Sequence, residues 1–288
     1  MHHTPSDKTI YLTFDDGIEP GTQEVLNVLE ENNTAATFFL TGIHTRYSCD
    51  KDRADTLDIL NRIRQHHALG NHSYTHCYGC YQEYYQQGLL TDDRGTRLSV
   101  TSDFQQQDHF IHRLTEDIYP FITAVPRLAR LPAKNAWQLS APPFRKTERG
   151  AEAAAGSLFQ AGYEVFGWDD EWKMSFDFAQ DIKQRKEEVM AAITGYPDYT
   201  RLYPWFDMLA PEHIHKDRLT EPWMDVFKRI LLHPKQHFVL LMHDRAFRQH
   251  PAYQAADQLH LLIRFLKSAG IRFRTLADYM KPLRNGSV

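Results

Sequence analysis

The strongest constraint on the fold is an alternation that runs along the whole chain. Short, continuous apolar runs are each followed by a segment whose apolar residues recur every three or four positions. The run TIYLTF at 9–14 reads as a buried strand ending at Asp15, Asp16 and Gly17; Pro20 then opens a helical pattern over Thr22–Glu31 with Val25, Leu26, Val28 and Leu29 inward. A second strand is expected at 34–40. A helix follows at 52–67 on the spacing of Leu57, Ile59, Leu60 and Ile63, and then a short strand at Ala68–Asn71 that ends at His72. Further strands are expected at 124–131, 164–168, 237–242 and 271–273, with helices near 152–161, 222–232 and 252–269. Runs such as FVLLM at 238–242 are apolar throughout rather than alternating, which is the pattern of parallel strands covered by helices on both faces. The expected fold class is therefore α/β, a distorted (β/α) barrel of about seven parallel strands, with an open doubly wound sheet as the other arrangement of the same units.

Without an internal repeat or a low-complexity linker, residues 1–288 read as a single domain. Two stretches do not fit the repeating unit: 77–119, long, polar and aromatic, and 173–219, rich in aromatics, His and Pro and containing Tyr196, Tyr199, Tyr203, Trp205 and Phe206. Loops that follow the strands build the active-site face of such a barrel, so both are read as insertions that wall or cap a cleft, the plain alternative being surface loops. The 33 Lys and Arg against 37 Asp and Glu, without a long run of either sign, exclude the footprint of a dedicated nucleic-acid binder. No apolar stretch is long enough to span a bilayer, and residues 1–8 have no signal-like apolar core. As written the chain reads as cytoplasmic, or as exported if a leader has been removed. Cys49, Cys77 and Cys80 make no disulfide framework, and the C-x-x-C of Cys77 and Cys80 lacks the second pair of a zinc ribbon.

The chemistry lies at the ends of the strands. Asp15 and Asp16 are adjacent carboxylates that repel, and at the mouth of a barrel they call for a cation, which lets one bind it while the other acts as a base. His72 and His76 are spaced H-x-x-x-H, which on one helical turn places both imidazoles on one face, a spacing that suits a metal. Two His and one Asp leave an open position on a tetrahedral divalent ion, where bound water has its pKa lowered to roughly 7. His243 follows the apolar strand at 237–242 and can protonate a leaving amine, the opposite half of acid–base catalysis to Asp15.

Thr13-Phe14-Asp15-Asp16-Gly17, His72-Ser73-Tyr74-Thr75-His76 and Leu241-Met242-His243 together resemble, in the right order and over nearly the whole chain, the polysaccharide deacetylase (NodB-like, carbohydrate esterase family 4) domain. The resemblance implies Asp15 as general base, Asp16, His72 and His76 as ligands of a divalent metal (zinc in the first place, one per site), His243 as catalytic acid and Leu241 in the pocket for the acetyl methyl. The family's Arg-x-Pro motif, whose Arg holds the base, corresponds to Arg130-Leu131-Pro132, with Ala133 where an aromatic usually follows. Pro142-Pro143-Phe144-Arg145 is a weaker alternative in which the order is reversed. The acidic residue plus Trp that orient the catalytic His and close the acetyl pocket correspond best to Glu171-Trp172, with Asp169 competing for the role of His partner.

The implied activity is metal-dependent removal of N-acetyl groups from N-acetylglucosamine-containing poly- or oligosaccharides, with an acetylated glycan as the binding partner. A small non-sugar amide is the alternative substrate. A non-catalytic glycan-binding module is the third reading, disfavoured because a binder has no use for both Asp15 and His243.

Overall fold

The computed structural model describes residues 8–79, 81–87, 89–91, 97–115, 127–175, 219–249 and 254–280. In chain order the strands are β1 (Thr9–Asp15), β2 (Thr37–Leu40), β3 (Ala68–Asn71), β4 (Leu89–Thr91), β5 (Arg97–Ser99), β6 (Arg127–Ala129), β7 (Tyr163–Val165), β8 (Asp170–Glu171), β9 (Met174–Ser175), β10 (Leu219–Thr220), β11 (His237–His243) and β12 (Arg272–Phe273). The helices up to β7 are α1 (Thr22–Glu31), α2 (Gly42–Lys51), α3 (Arg53–His66), α4 (Tyr81–Gln87), α5 (Val100–Thr115) and α6 (Glu152–Gln160). The chain divides into two compact units, one taking the described residues of Met1–Leu12, Pro20–Ala36 and Asp169–Arg274, the other those of Thr13–Glu19, Thr37–Trp168 and Thr275–Val288.

In the second unit, the end of β1 pairs with β2, β2 with β3, β3 with β6 and β6 with β7, every pair parallel. Helix α5 explains much of the stretch that does not fit the repeating pattern at the sequence level. Val100, Phe104, Gln107, Ile111 and Leu114 are buried along one side of it, at the spacing of an amphipathic helix, and Asp103 is buried with them. It is the covering helix between β3 and β6. Helix α2 is absent from the sequence expectations because it has no apolar stripe: only Gly42 and Thr45 are buried. Strand β2 begins at Thr37 rather than 34, although Thr34 and Ala36 are also buried; an apolar run marks burial, which extends further than strand pairing.

In the first unit, β11 and β8 are parallel, with Leu240 opposite Asp170 and Leu241 opposite Glu171. The start of β1 pairs in parallel with β12. Phe238, Val239, Leu240, Leu241 and Met242 are all buried, as the unbroken apolar run requires of a strand covered on both faces. Helix α1 forms at the expected bounds behind Gly21, whose φ of 110° lies in the left-handed region and whose absent side chain leaves room for the backbone of Asp244. Trp223 and Phe227 on helix Trp223–Leu232 pack their rings against Phe265 on helix Ala255–Ser268, with centroids 5.0 and 5.6 Å away. Lys8 extends its ammonium to the carbonyls of Ile230 (2.5 Å) and His233 (2.6 Å), filling acceptors that the end of that helix leaves open.

The α/β class expected from the pattern is the class observed. Strands β1, β2, β3, β6, β7, β8 and β11 supply the expected seven parallel strands, and β12 pairs with β1 in addition. Residues 124–126, Cys80 and 176–218, and with them Trp205, lie outside the described residues.

Candidate active site and metal centre

Strand register assembles the site. Asp15 lies opposite Phe39, Phe39 opposite Gly70 and Gly70 opposite Leu128, so His72 and Arg130 leave their strands two residues beyond that level. Side chains alternate with a period of two, which places Asp15, His72 and Arg130 on the same face at the strands' C-terminal ends.

Arg130 is fully buried, and each of its guanidinium nitrogens is engaged. Nη1 donates to Asp15 Oδ1 (2.9 Å) and Thr13 Oγ1 (2.7 Å), Nη2 to the Gly167 carbonyl (2.8 Å) and Nε to the Phe166 carbonyl (3.1 Å). The guanidinium also lies over the Phe39 ring, 4.4 Å from its centroid. Burial pulls its pKa down while the Asp15 charge opposes that pull. Arg145 does not reach Asp15 here: it donates to the Tyr279 hydroxyl (3.2 Å) and lies over Trp137.

Asp16, His72 and His76 bring one ligand atom each within 4.8 Å of one another. Nε2 of His76 is 3.1 Å and Nε2 of His72 3.5 Å from Asp16 Oδ1. His72 donates from Nδ1 to the Arg130 carbonyl (2.8 Å), which fixes its tautomer and leaves the Nε2 lone pair toward the carboxylates. A backbone acceptor behind a metal-binding His is the usual way in which proteins orient such a ligand, and this donor set therefore fits a divalent cation. Burial pushes the His72 pKa down against the pull of Asp15 and Asp16. Burial also disfavours charge on His76, but its hydrogen bond and proximity to Asp16 win, and its pKa is raised.

The two imidazoles do not meet on a helical turn as the spacing suggested. Ser73, His76 and Cys77 have φ of 69°, 49° and 57°, so the ligands are carried by a loop of left-handed residues. Such conformations cost roughly 1–2 kcal/mol each for residues with a side chain and need outside support. Asp103 supplies much of it. Fully buried on α5, it accepts from the Thr75 N–H (3.0 Å), the Thr75 hydroxyl (2.9 Å) and the Tyr84 hydroxyl (3.0 Å), while its own carbonyl accepts from the Tyr74 N–H (3.3 Å). Desolvation raises its pKa against those donors. Asn71 accepts the Ser73 N–H (2.9 Å), and Ser73 Oγ the His76 N–H (3.0 Å). Sequence motifs do not reveal Asp103; its signal is an acid on the buried stripe of an amphipathic helix.

The other expected residues lie in the first unit. His243 closes β11, and its Nδ1 is buried without a hydrogen-bond partner among the described residues. Asp169 is engaged at the start of that strand, accepting the Val239 N–H (2.8 Å) and pairing with Lys235 (2.6 Å). Glu171 is paired in register with Leu241, so period-two alternation puts it on the face that Leu241 and His243 share. Trp172 is buried, donates its indole N–H to the Glu221 carbonyl (2.8 Å) and packs edge-on against Phe247; it is a packed wall, not an exposed stacking surface.

Residues 2–137 match the family model described as polysaccharide deacetylase. The chitin disaccharide deacetylase of Vibrio alginolyticus is 26% identical over 212 residues, 59% of this chain and 48% of that protein. The peptidoglycan-N-acetylmuramic acid deacetylase PdaA of Bacillus subtilis is 40% identical over 72 residues, 24% of each protein. The chain thus aligns with about half or less of the length of these relatives. Among solved structures, the polysaccharide deacetylase Bc1974 from Bacillus cereus covers 93% of this chain and 91% of its own, with a TM-score of 0.52 at 22% identity. The catalytic domain of a peptidoglycan N-acetylglucosamine deacetylase from Eubacterium rectale covers 93% and 88%, with a TM-score of 0.51 at 17% identity. These likenesses show the fold, the distorted (β/α) barrel. With the family match running over residues 2–137, that part of the chain is similar to the polysaccharide deacetylase family.

Proposed function

We propose that the protein is a metal-dependent hydrolase that removes N-acetyl groups from N-acetylglucosamine-containing poly- or oligosaccharides. The observation that carries this reading is the buried Arg130–Asp15 pair set directly against the Asp16, His72 and His76 triad. That arrangement holds a carboxylate in place beside a cation site, as deprotonation of a water molecule requires. The relatives' names, which include chitin, chitooligosaccharide and peptidoglycan deacetylases, support the glycan.

Asp16, His72 and His76 would hold the divalent cation, zinc in the first place. When bound, it supplies Lewis-acid polarisation of the acetyl carbonyl and of the attacking water. Arg130 occupies Oδ1 of Asp15, leaving Oδ2 to take the proton from water. Thr13 and the Phe166 and Gly167 carbonyls keep the guanidinium from turning, so the base is oriented before substrate arrives. His243 is assigned the proton donated to the departing nitrogen, Glu171 the role of its partner, and Leu241 and Trp172 the acetyl-methyl wall, all on the resemblance of their motifs.

The test is acetate release from a panel of chitooligosaccharides, peptidoglycan fragments and poly-N-acetylglucosamine, with and without chelator. Chelator-sensitive release from at least one of them is expected. No such release from any would move the assignment to a small non-sugar amide.

A further inference from the structure

We propose that His44, supported by Glu19, is a positioning residue for Asp16. The proposal rests on reading Asp16, His72 and His76 as a metal site. Alternation along β1 would send Asp15 and Asp16 to opposite faces. Yet the two carboxylates both reach Nε2 of His72, at 3.6 and 3.5 Å. The reversal is made at Asp16 itself, where φ is 77°.

Both backbone polar groups of this left-handed residue are tied down. Its N–H donates to the Phe39 carbonyl on β2 (3.2 Å). Its carbonyl accepts from His44 Nδ1 (2.7 Å) and, at longer range, from the Thr41 hydroxyl (3.2 Å). A carbonyl oxygen can only accept, so the His44 proton in this contact sits on Nδ1. Glu19 Oε1, on a largely buried side chain, is 3.4 Å from the same nitrogen and favours the same tautomer.

This arrangement gives a role to α2, a helix with almost no apolar face: it brings His44, and at its N-cap Thr41, to the carbonyl of Asp16. Without the imidazole, that carbonyl loses the shorter of the two side-chain contacts described for it. The peptide is then freer to rotate, and the Asp16 carboxylate loses its aim at His72 and His76.

Partners that orient a ligand without touching the metal typically change its affinity by about 10- to 100-fold. The test is a zinc titration of the purified protein in competition with a chromophoric chelator, comparing wild type with Asp16→Ala, His44→Leu, His44→Asn and Glu19→Gln. Leu and Asn have nearly the same shape, but only Asn offers an N–H where His44 Nδ1 stands. His44→Leu should weaken zinc binding by about tenfold or more, His44→Asn should recover most of that loss, and Glu19→Gln should fall between His44→Asn and His44→Leu. Equal zinc affinity in His44→Leu and His44→Asn, or wild-type affinity in His44→Leu, would overturn the proposal while leaving the metal site standing. If the wild type binds no zinc, the metal reading itself falls, and this proposal with it.

Discussion

Arg130→Met is the substitution whose consequence follows most directly from the geometry. The guanidinium is fully buried and makes four hydrogen bonds, one of them to an Asp15 carboxylate that is itself only 2% exposed. Met fills much of the volume but offers no donor. The variant leaves a buried carboxylate without its counterion and two buried carbonyls each short of a donor, and breaking one side of such a pair typically costs about 3–5 kcal/mol. A domain stability of about 5–15 kcal/mol makes that a large fraction of the total. The loss depends on the charge left behind, so adding Asp15→Asn should restore roughly 0.5–3 kcal/mol, the range of coupling between contacting residues. Urea unfolding of wild type, both single variants and the double variant, in the presence of chelator, closes the cycle. Arg130→Met within about 1 kcal/mol of wild type, against the 3–5 kcal/mol expected, would refute the reasoning. A double variant as unstable as the sum of the single losses would refute it as well.

Three further outcomes follow. Gly21→Ala places a Cβ 2.0 Å from the Asp244 carbonyl oxygen at a φ of 110°; with backbone on both sides it should cost about 2–5 kcal/mol in urea unfolding, the combined scale of overpacking and left-handed strain. Asp103→Ala removes the acceptor of three buried donors, two on Thr75 in the loop that carries His72 and His76 and one on Tyr84 of α4, and should both destabilise the protein and weaken zinc binding in a chelator competition. Because burial raises the Asp103 pKa above 3.8, its contribution to stability is greatest below that value and is lost as pH rises through the raised one. The stability of wild type minus that of Asp103→Asn should therefore fall as pH rises above about 4, and a difference that rises with pH would contradict the assignment.

How much was legible beforehand follows from what each signal reports. The bounds of α1 and β3 are read correctly because Val25, Leu26, Val28 and Leu29 form a clear stripe and because His72 stands where pairing stops. Helix α2 is invisible to periodicity because its buried positions are a glycine and a threonine, and its value lies in His44. The Asp-Asp and H-x-x-x-H motifs name atoms that the fold brings together, but not the means. Strand alternation and helical spacing both give the wrong geometry for Asp16 and His76; positive φ, with a long-range donor from α2 and a long-range acceptor from α5, gives the observed one. Those partners lie 28 positions from the residues they hold, beyond the reach of any local pattern.

The central claim is that Asp15 is the base beside a metal held by Asp16, His72 and His76. Its most direct test is Asp15→Asn, measured at once for bound zinc and for acetate released from an N-acetylglucosamine oligomer that the wild type deacetylates. Zinc retained with turnover lost is the predicted result, and full turnover in the variant would contradict the account.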